Sequence, residues 1–267
     1  MPIKLIASDL DGTLVADLHT ISPRTQSAIK AAMDRGVHVT IATGREYPVT
    51  EKFIKMLGLT TPTICFQGAL IYNPVTQQTL AGDSLPVPLA HQLITLARRD
   101  NLSLYFYLEN TAYTENPTPY SEVIFAGIGT PLVQVDDLKK AITRPPVKGI
   151  IVHPAPETEA VIATLRTELN GQVSVFRSLD ILIEVTAQQV SKGNALAKLA
   201  AHLGIDQSEV MAIGDQDNDI AMIKWAGLGV AMGNASVGAK AAADFIAPPI
   251  SEDGAAWAIE HFVLGEK

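Results

Sequence analysis

The chain holds a single cysteine, Cys65, in 267 residues. One thiol cannot close an internal disulfide, and within Thr63-Ile64-Cys65-Phe66 it reads as a small buried hydrophobe. No apolar run approaches the ~20 residues that span a bilayer. The first apolar stretch leads into an aspartate rather than a signal-peptide cleavage pattern. Basic clusters are missing too. The formal net charge of −8 argues against a nucleic-acid surface. His19, His38, His91, His153, His202 and His261 are scattered without metal-ligand spacing, so no role is assigned to them. These absences leave a soluble cytoplasmic protein as the expectation, with no nucleic-acid, membrane or protein partner implied. Hydrophobic residues make up 47% of the chain, which suffices for the core of one large domain or two small ones.

What is present is organised around Asp9-Leu10-Asp11-Gly12-Thr13-Leu14. The apolar run Ile3–Ala7 before it reads as a buried strand, and Gly12 as a turn residue free to take positive φ. Two carboxylates therefore sit where a central strand gives way to a loop, the edge at which open α/β sheets bind ligands. Such neighbours repel unless a cation or a shared proton relieves them. Mg²⁺, which takes oxygen ligands, is the simplest relief. An isolated Asp-x-Asp would read as a pair of turn formers; the six-residue string is more specific.

The pattern repeats along the chain. Ser22-Pro23 starts a helix that Gly36 ends. Val37–Ala42 is the next strand, with Thr43-Gly44-Arg45 at its end. Thr43 is equally a phosphoryl-oxygen donor, beside the Gly44 amide, or a cap for a helix near Glu46–Leu57. Thr63–Phe66 is a third strand, and Asn73–Thr76 a turn. From Ser84 to about Thr186 the character changes. Helices are expected at Leu89–Arg99 and Glu157–Leu169. Strands are expected at Leu102–Leu108, Val147–Val152, Val173–Arg177 and Ile181–Val185, and a loop at Asn110–Tyr120. No acidic motif lies in this insert. The first pattern then resumes. Ser191 caps a helix that carries Lys192 in its first turn and ends at Gly204. A lysine there is either an ordinary surface residue or an anion ligand. The strand Glu209–Ile213 ends in Gly214-Asp215-Gln216-Asp217-Asn218-Asp219, too many acids for N-capping alone. Strands at Leu228–Ala231 and Phe245–Ala247 and a helix at Ala255–Val263 complete the chain.

Together, Asp9-Leu10-Asp11-Gly12-Thr13, Thr43-Gly44-Arg45, Lys192-Gly193 and Gly214-Asp215-x-x-Asn218-Asp219 resemble the four motifs of the haloacid dehalogenase-like (HAD) phosphatases. The insertion point and Gly229–Ala235 are similar to the Cof-type, subfamily IIB members. The resemblance implies an α/β fold: a Rossmann-like core with a central parallel sheet over 1–83 and 187–267, and an inserted α+β cap of type C2B over 84–186. It implies a Mg²⁺-dependent phosphatase of small phosphorylated metabolites, such as sugar phosphates or phosphorylated cofactors. An acidic chain can hold such a ligand, because Mg²⁺ and one lysine reverse the local sign. In the implied roles, Asp9 is the nucleophile that forms an aspartyl-phosphate, and Asp11 is the general acid and then base. Asp9, Asp215 and the Asp11 carbonyl hold the metal, with Asp219 behind them. Leu10 (through its amide), Thr43, Gly44, Lys192 and Asn218 hold the phosphoryl group.

Phosphoryl transfer to a carboxylate requires charge neutralisation and a leaving-group acid, which these residue types supply. Gln67-Gly68-Ala69 stands where the family commonly has Asn-Gly-Ala, and Pro249–Gly254 lacks a frequent Ser-Asn pair. Both departures bear on specificity before activity. Tyr105, Tyr107, Tyr113 and Arg177 are candidate selectors, with packing the favoured role for each. A phosphomutase and a non-catalytic phosphate sensor are the alternative functions. The leaving-group acid Asp11 speaks against the sensor.

Overall fold

A computed structural model describes residues 2–17, 19–153, 157–179 and 181–265. The chain divides into two compact units, one formed by Met1–Ala81 with Ser191–Lys267, the other by Gly82–Val190.

The first unit begins with β1 (Leu5–Ser8), α1 (Pro23–Asp34), β2 (His38–Ile41) and α2 (Tyr47–Leu57). The Ser22 side chain caps α1 by accepting from the Thr25 amide, and Gly58 closes α2 in the left-handed conformation. Strands β3 (Thr63–Cys65), β4 (Leu70–Asn73) and β5 (Gln78–Gly82) form a separate three-stranded sheet in that order. The expected turn after β4 is present, with Asn73 Oδ1 accepting from the amides of Val75 and Thr76. Cys65 is fully buried, and burial pushes its thiol up to about 12.

The second unit runs through α3 (Val87–Arg99), β6 (Ser103–Leu108), β7 (Thr111–Thr114), α4 (Pro119–Ile128), β8 (Leu132–Gln134), α5 (Leu138–Ala141), β9 (Lys148–Val152), α6 (Thr158–Glu168), β10 (Val173–Leu179) and β11 (Leu182–Ala187). Its six strands are ordered β10-β11-β9-β6-β7-β8. Every pairing is antiparallel except β7 with β8. Leu104, Phe106, Ile151, Ile183 and Val185 turn one face of this sheet into an apolar core. Of the loop expected at Asn110–Tyr120, only 115–118 is irregular; β7 and the start of α4 take most of the rest. Two features explain the difference. Glu109 takes a φ of 55°, which tightens a hairpin pairing Leu108 with Thr111. Thr118 and Ser121 form a reciprocal capping box ahead of the helix.

The chain returns to the first unit with α7 (Lys192–Leu203), β12 (Val210–Gly214), α8 (Ile220–Trp225), β13 (Leu228–Ala231), α9 (Val237–Ala242), β14 (Phe245–Ile246) and α10 (Gly254–Ile259). The chain is helical over the whole span of the expected C-terminal helix, with its last turn, Glu260–Leu264, widened into a π-helix. The main sheet is parallel throughout, in the order β14-β13-β12-β1-β2. Alternate residues of β1 enter different apolar clusters, Ile6 one and Leu5 and Ala7 the other. Both faces of the sheet are therefore covered, which is why the strand reads as an unbroken apolar run.

This order positions the site. The chain passes from β1 to β2 on one side and later returns to β12 on the other, so β1 and β12 flank the switch point of the sheet. Ser8 pairs with Ile213, and the Asp9 amide donates to the Ile213 carbonyl at 2.9 Å. Two acidic loops some two hundred positions apart thus leave the sheet side by side.

Candidate active site

Asp9, Asp215, Asp219 and Lys192 are 5%, 2%, 0% and 1% exposed. Lys192 Nζ donates to Asp9 Oδ1 at 2.5 Å and to Asp219 Oδ1 at 2.6 Å. The surface-lysine alternative is therefore excluded, because its ammonium lies at the centre of the cluster. Ser191 Oγ accepts from the Asn194 amide and so fixes the turn that presents Lys192.

Asp219 has no oxygen to spare. Its Oδ2 accepts from the amides of Asp215 and Gln216, both at 2.9 Å. Asp215 accepts from Thr13 Oγ1 at 3.1 Å and from Gln216 Nε2 at 2.9 Å. The loop after β1 approaches so closely that a Cβ on Gly12 would lie 2.3 Å from Asp215 Oδ2, and Gly12 has a φ of 83°. Glycine is required there on both counts. Asn234 secures the same loop, donating to the Gly12 carbonyl at 2.9 Å and accepting from the Ile250 amide. Thr13 and Asn234 were not singled out in the sequence, because their partners are distant in the chain; Gln216 bonds its neighbour Asp215, a contact that a polar loop residue does not announce.

Oxygens from Asp9, Asp215 and Asp219 lie within 4.8 Å of one another. Three carboxylates against one ammonium leave the buried cluster net negative. Burial pushes the Asp9 carboxyl above its ordinary range; the Lys192 charge opposes the shift and the Asp219 charge adds to it. Burial also raises Asp215. For Lys192 burial lowers the pKa, but the charges of Asp9 and Asp219 outweigh it and hold the ammonium above its ordinary value. An oxygen-only set with excess negative charge suits Mg²⁺, and Asp9 and Asp215 would hold it, with Asp219 supporting them.

The remaining expected residues are divided. The Leu10 amide lies near the Asp9 carboxylate and favours its charged form. Thr43 does not cap α2; its Oγ1 accepts from the Arg45 amide at 3.1 Å, and Glu46 occupies the cap position. The Thr43 hydroxyl keeps its proton for another acceptor. The Asp11 side chain turns to Arg45, whose Nε donates to Oδ2 at 2.8 Å and whose second nitrogen donates to Oδ1. Asn218 does not reach the acidic cluster through any hydrogen bond among the described residues. Its Nδ2 donates to Gln67 Oε1 at 2.9 Å. In the second unit Tyr105 and Tyr107 are fully buried beside Phe125, with ring centroids 5.1 and 5.9 Å from it, as packing residues would be. Arg177 lies 3.5 Å from Glu159.

A family model described as haloacid dehalogenase-like hydrolase matches residues 6–259. Over 270 residues the chain is 35% identical to the 5-amino-6-(5-phospho-D-ribitylamino)uracil phosphatase YcsE of Bacillus subtilis, with 98% of this chain and 96% of that protein aligned. It is 29% identical to the pyridoxal phosphate phosphatase YbhA of Escherichia coli, with 92% and 93% aligned. Among solved structures, a haloacid dehalogenase-like hydrolase from Bacteroides thetaiotaomicron superposes with a TM-score of 0.86 at 33% identity, covering 97% of this chain and 99% of that one.

Proposed function

The chain belongs to the haloacid dehalogenase-like hydrolases, and from that premise we propose that it is a Mg²⁺-dependent phosphatase of small phosphorylated metabolites. The observation that carries the reading is the buried Lys192 ammonium shared by Asp9 and Asp219, with Asp215 in the same cluster. Such an arrangement gives one carboxylate a fixed direction and an electropositive neighbour, which a nucleophile facing a phosphate dianion needs. The relatives act, by their names, on a ribitylaminouracil phosphate and on pyridoxal phosphate, both small phosphomonoesters.

In this reading an Asp9 carboxylate oxygen attacks phosphorus and the bond to the leaving alkoxide breaks. Asp11 gives the alkoxide its proton. Water then attacks the aspartyl-phosphate, Asp11 takes a proton from it, and the bond between Asp9 and phosphorus breaks to release inorganic phosphate. Because Arg45 holds both Asp11 oxygens, the pair must open before Asp11 reaches the leaving group. Lys192, the Thr43 hydroxyl, the Gly44 amide and the Asn218 amide hold the phosphoryl oxygens. Asp9, Asp215 and the Asp11 carbonyl would hold Mg²⁺, which would supply charge neutralisation at the phosphoryl group.

The test is a panel of phosphorylated metabolites assayed with and without Mg²⁺, alongside Asp9→Asn. Phosphate release that needs Mg²⁺ and vanishes in a D9N protein of unchanged thermal stability is the expected result. Near-normal release by that variant removes Asp9 as nucleophile.

A further inference from the structure

The turn Phe66-Gln67-Gly68 after β3 joins three parts of the site, although none of its residues belongs to the acidic cluster. Phe66 and Gln67 have φ of 51° and 60°, a conformation disfavoured for residues that carry a Cβ. Two backbone bonds hold it there: Phe66 N to the Arg45 carbonyl and Gln67 N to the Thr43 carbonyl, both at 3.0 Å. On its other side Gly68 is pressed against the start of α7, where a Cβ would meet the Ser191 carbonyl at 2.3 Å. The turn is thus wedged between the loop bearing Thr43 and the turn presenting Lys192.

From this position the Gln67 side chain lies over Gly44 and reaches Asn218. A Cβ on Gly44 would fall 2.4 Å from Gln67 Nε2, so the glycine makes room for this amide. Gln67 Oε1 accepts from Asn218 Nδ2 at 2.9 Å. Asn218 is exposed and lies in a short 3₁₀ turn, with no other hydrogen bond to its side chain among the described residues. Without Gln67 its amide would rotate freely. An Asn nitrogen carries two protons; one goes to Gln67 and the other remains for a ligand oxygen. Asparagine or glycine suits a φ of 60° better than glutamine does. The longer side chain gives reach across to Asn218.

We infer that Gln67 is a positioning residue for the phosphoryl site, acting through Asn218: it fixes the Asn218 amide so that its second N–H meets a phosphate oxygen. The inference rests on the phosphatase reading above. The Gln67→Gly variant tests it, because glycine takes this backbone conformation without strain and removes only the side chain. Inorganic phosphate as inhibitor, p-nitrophenyl phosphate as substrate and the thermal midpoint are measured in Q67G, N218A and the double variant.

The expected result is a phosphate inhibition constant and a KM each raised by about 5–10-fold in Q67G, the equivalent of one lost hydrogen bond. The turnover number and the thermal midpoint change little. In the N218A background Q67G adds nothing further, since its effect passes through that residue. A wild-type inhibition constant in Q67G, or an equal loss with and without Asn218, overturns the inference while leaving the phosphatase reading intact. A wild-type protein that neither cleaves the ester nor binds phosphate overturns both.

Discussion

Each unit of the molecule buries a lysine, and the two are handled differently. In the first unit Lys192 bonds Asp9 and Asp219, and Asp215 stands in the same cluster. In the second, Lys148 Nζ lies 3.0 Å from Glu184 Oε2 and 5.3 Å from the centre of the Tyr107 ring. Lys148 and Glu184 are 5% and 6% exposed, so both lysines have left water behind. The lesson is in the charge balance. An ion pair of one lysine and one carboxylate balances its own charge. A lysine among three carboxylates leaves negative charge uncompensated in a buried site, which suits a cation.

The largest effect that separates the two lysines is expected from Lys192→Met. Three buried carboxylates would lose their ammonium, so stability should fall by ~3–5 kcal/mol and kcat/KM by roughly 10²–10³-fold. Urea unfolding and steady-state kinetics read these two quantities; a K192M protein with wild-type turnover would break the contrast. An intermediate effect is expected from the metal. Mg²⁺ at a hundred times its dissociation constant should stabilise the wild type by about 2.7 kcal/mol, and Asp215→Asn should abolish most of that gain. Thermal unfolding across a Mg²⁺ series measures it, and an equal shift in D215N would move the metal elsewhere. The smallest effect is expected in the second unit. Replacing Lys148 and Glu184 together by Met and Leu should leave stability within about 1 kcal/mol of wild type or raise it. A collapse of the K148M/E184L protein in the same urea assay would show that this pair, too, does more than balance its own charge.

Much of the site was legible in the sequence because its residues are short strings at strand ends. Asp9, Thr43 and Asp215 each follow an apolar run, and the structure places all three at the carboxyl edge of the parallel sheet. Lys192 was legible as the first-turn residue after a good N-cap, and its burial excludes the surface alternative. Other features were hidden. The hairpin at Thr111–Thr114 depends on a partner strand, and its own residues also suit a loop. Arg45 could be seen beside Thr43 and Gly44, but its hold on Asp11 crosses from one loop to another. Gln67 was visible only as a departure from a motif; its bond to Asn218 spans about 150 positions.

By itself the sequence determined the kinds of group available, their place at the ends of buried strands, and the alternation that buries those strands on both faces. Local periodicity and turn chemistry suffice for that, because they act over a few residues. Which groups meet was decided only by the tertiary structure. Parallel pairing of β1 with β12 sets Asp9 against Asp215, and the entry of α7 drives Lys192 between Asp9 and Asp219. Charges that would be screened and harmless in an extended chain become one coupled site when water is removed from around them.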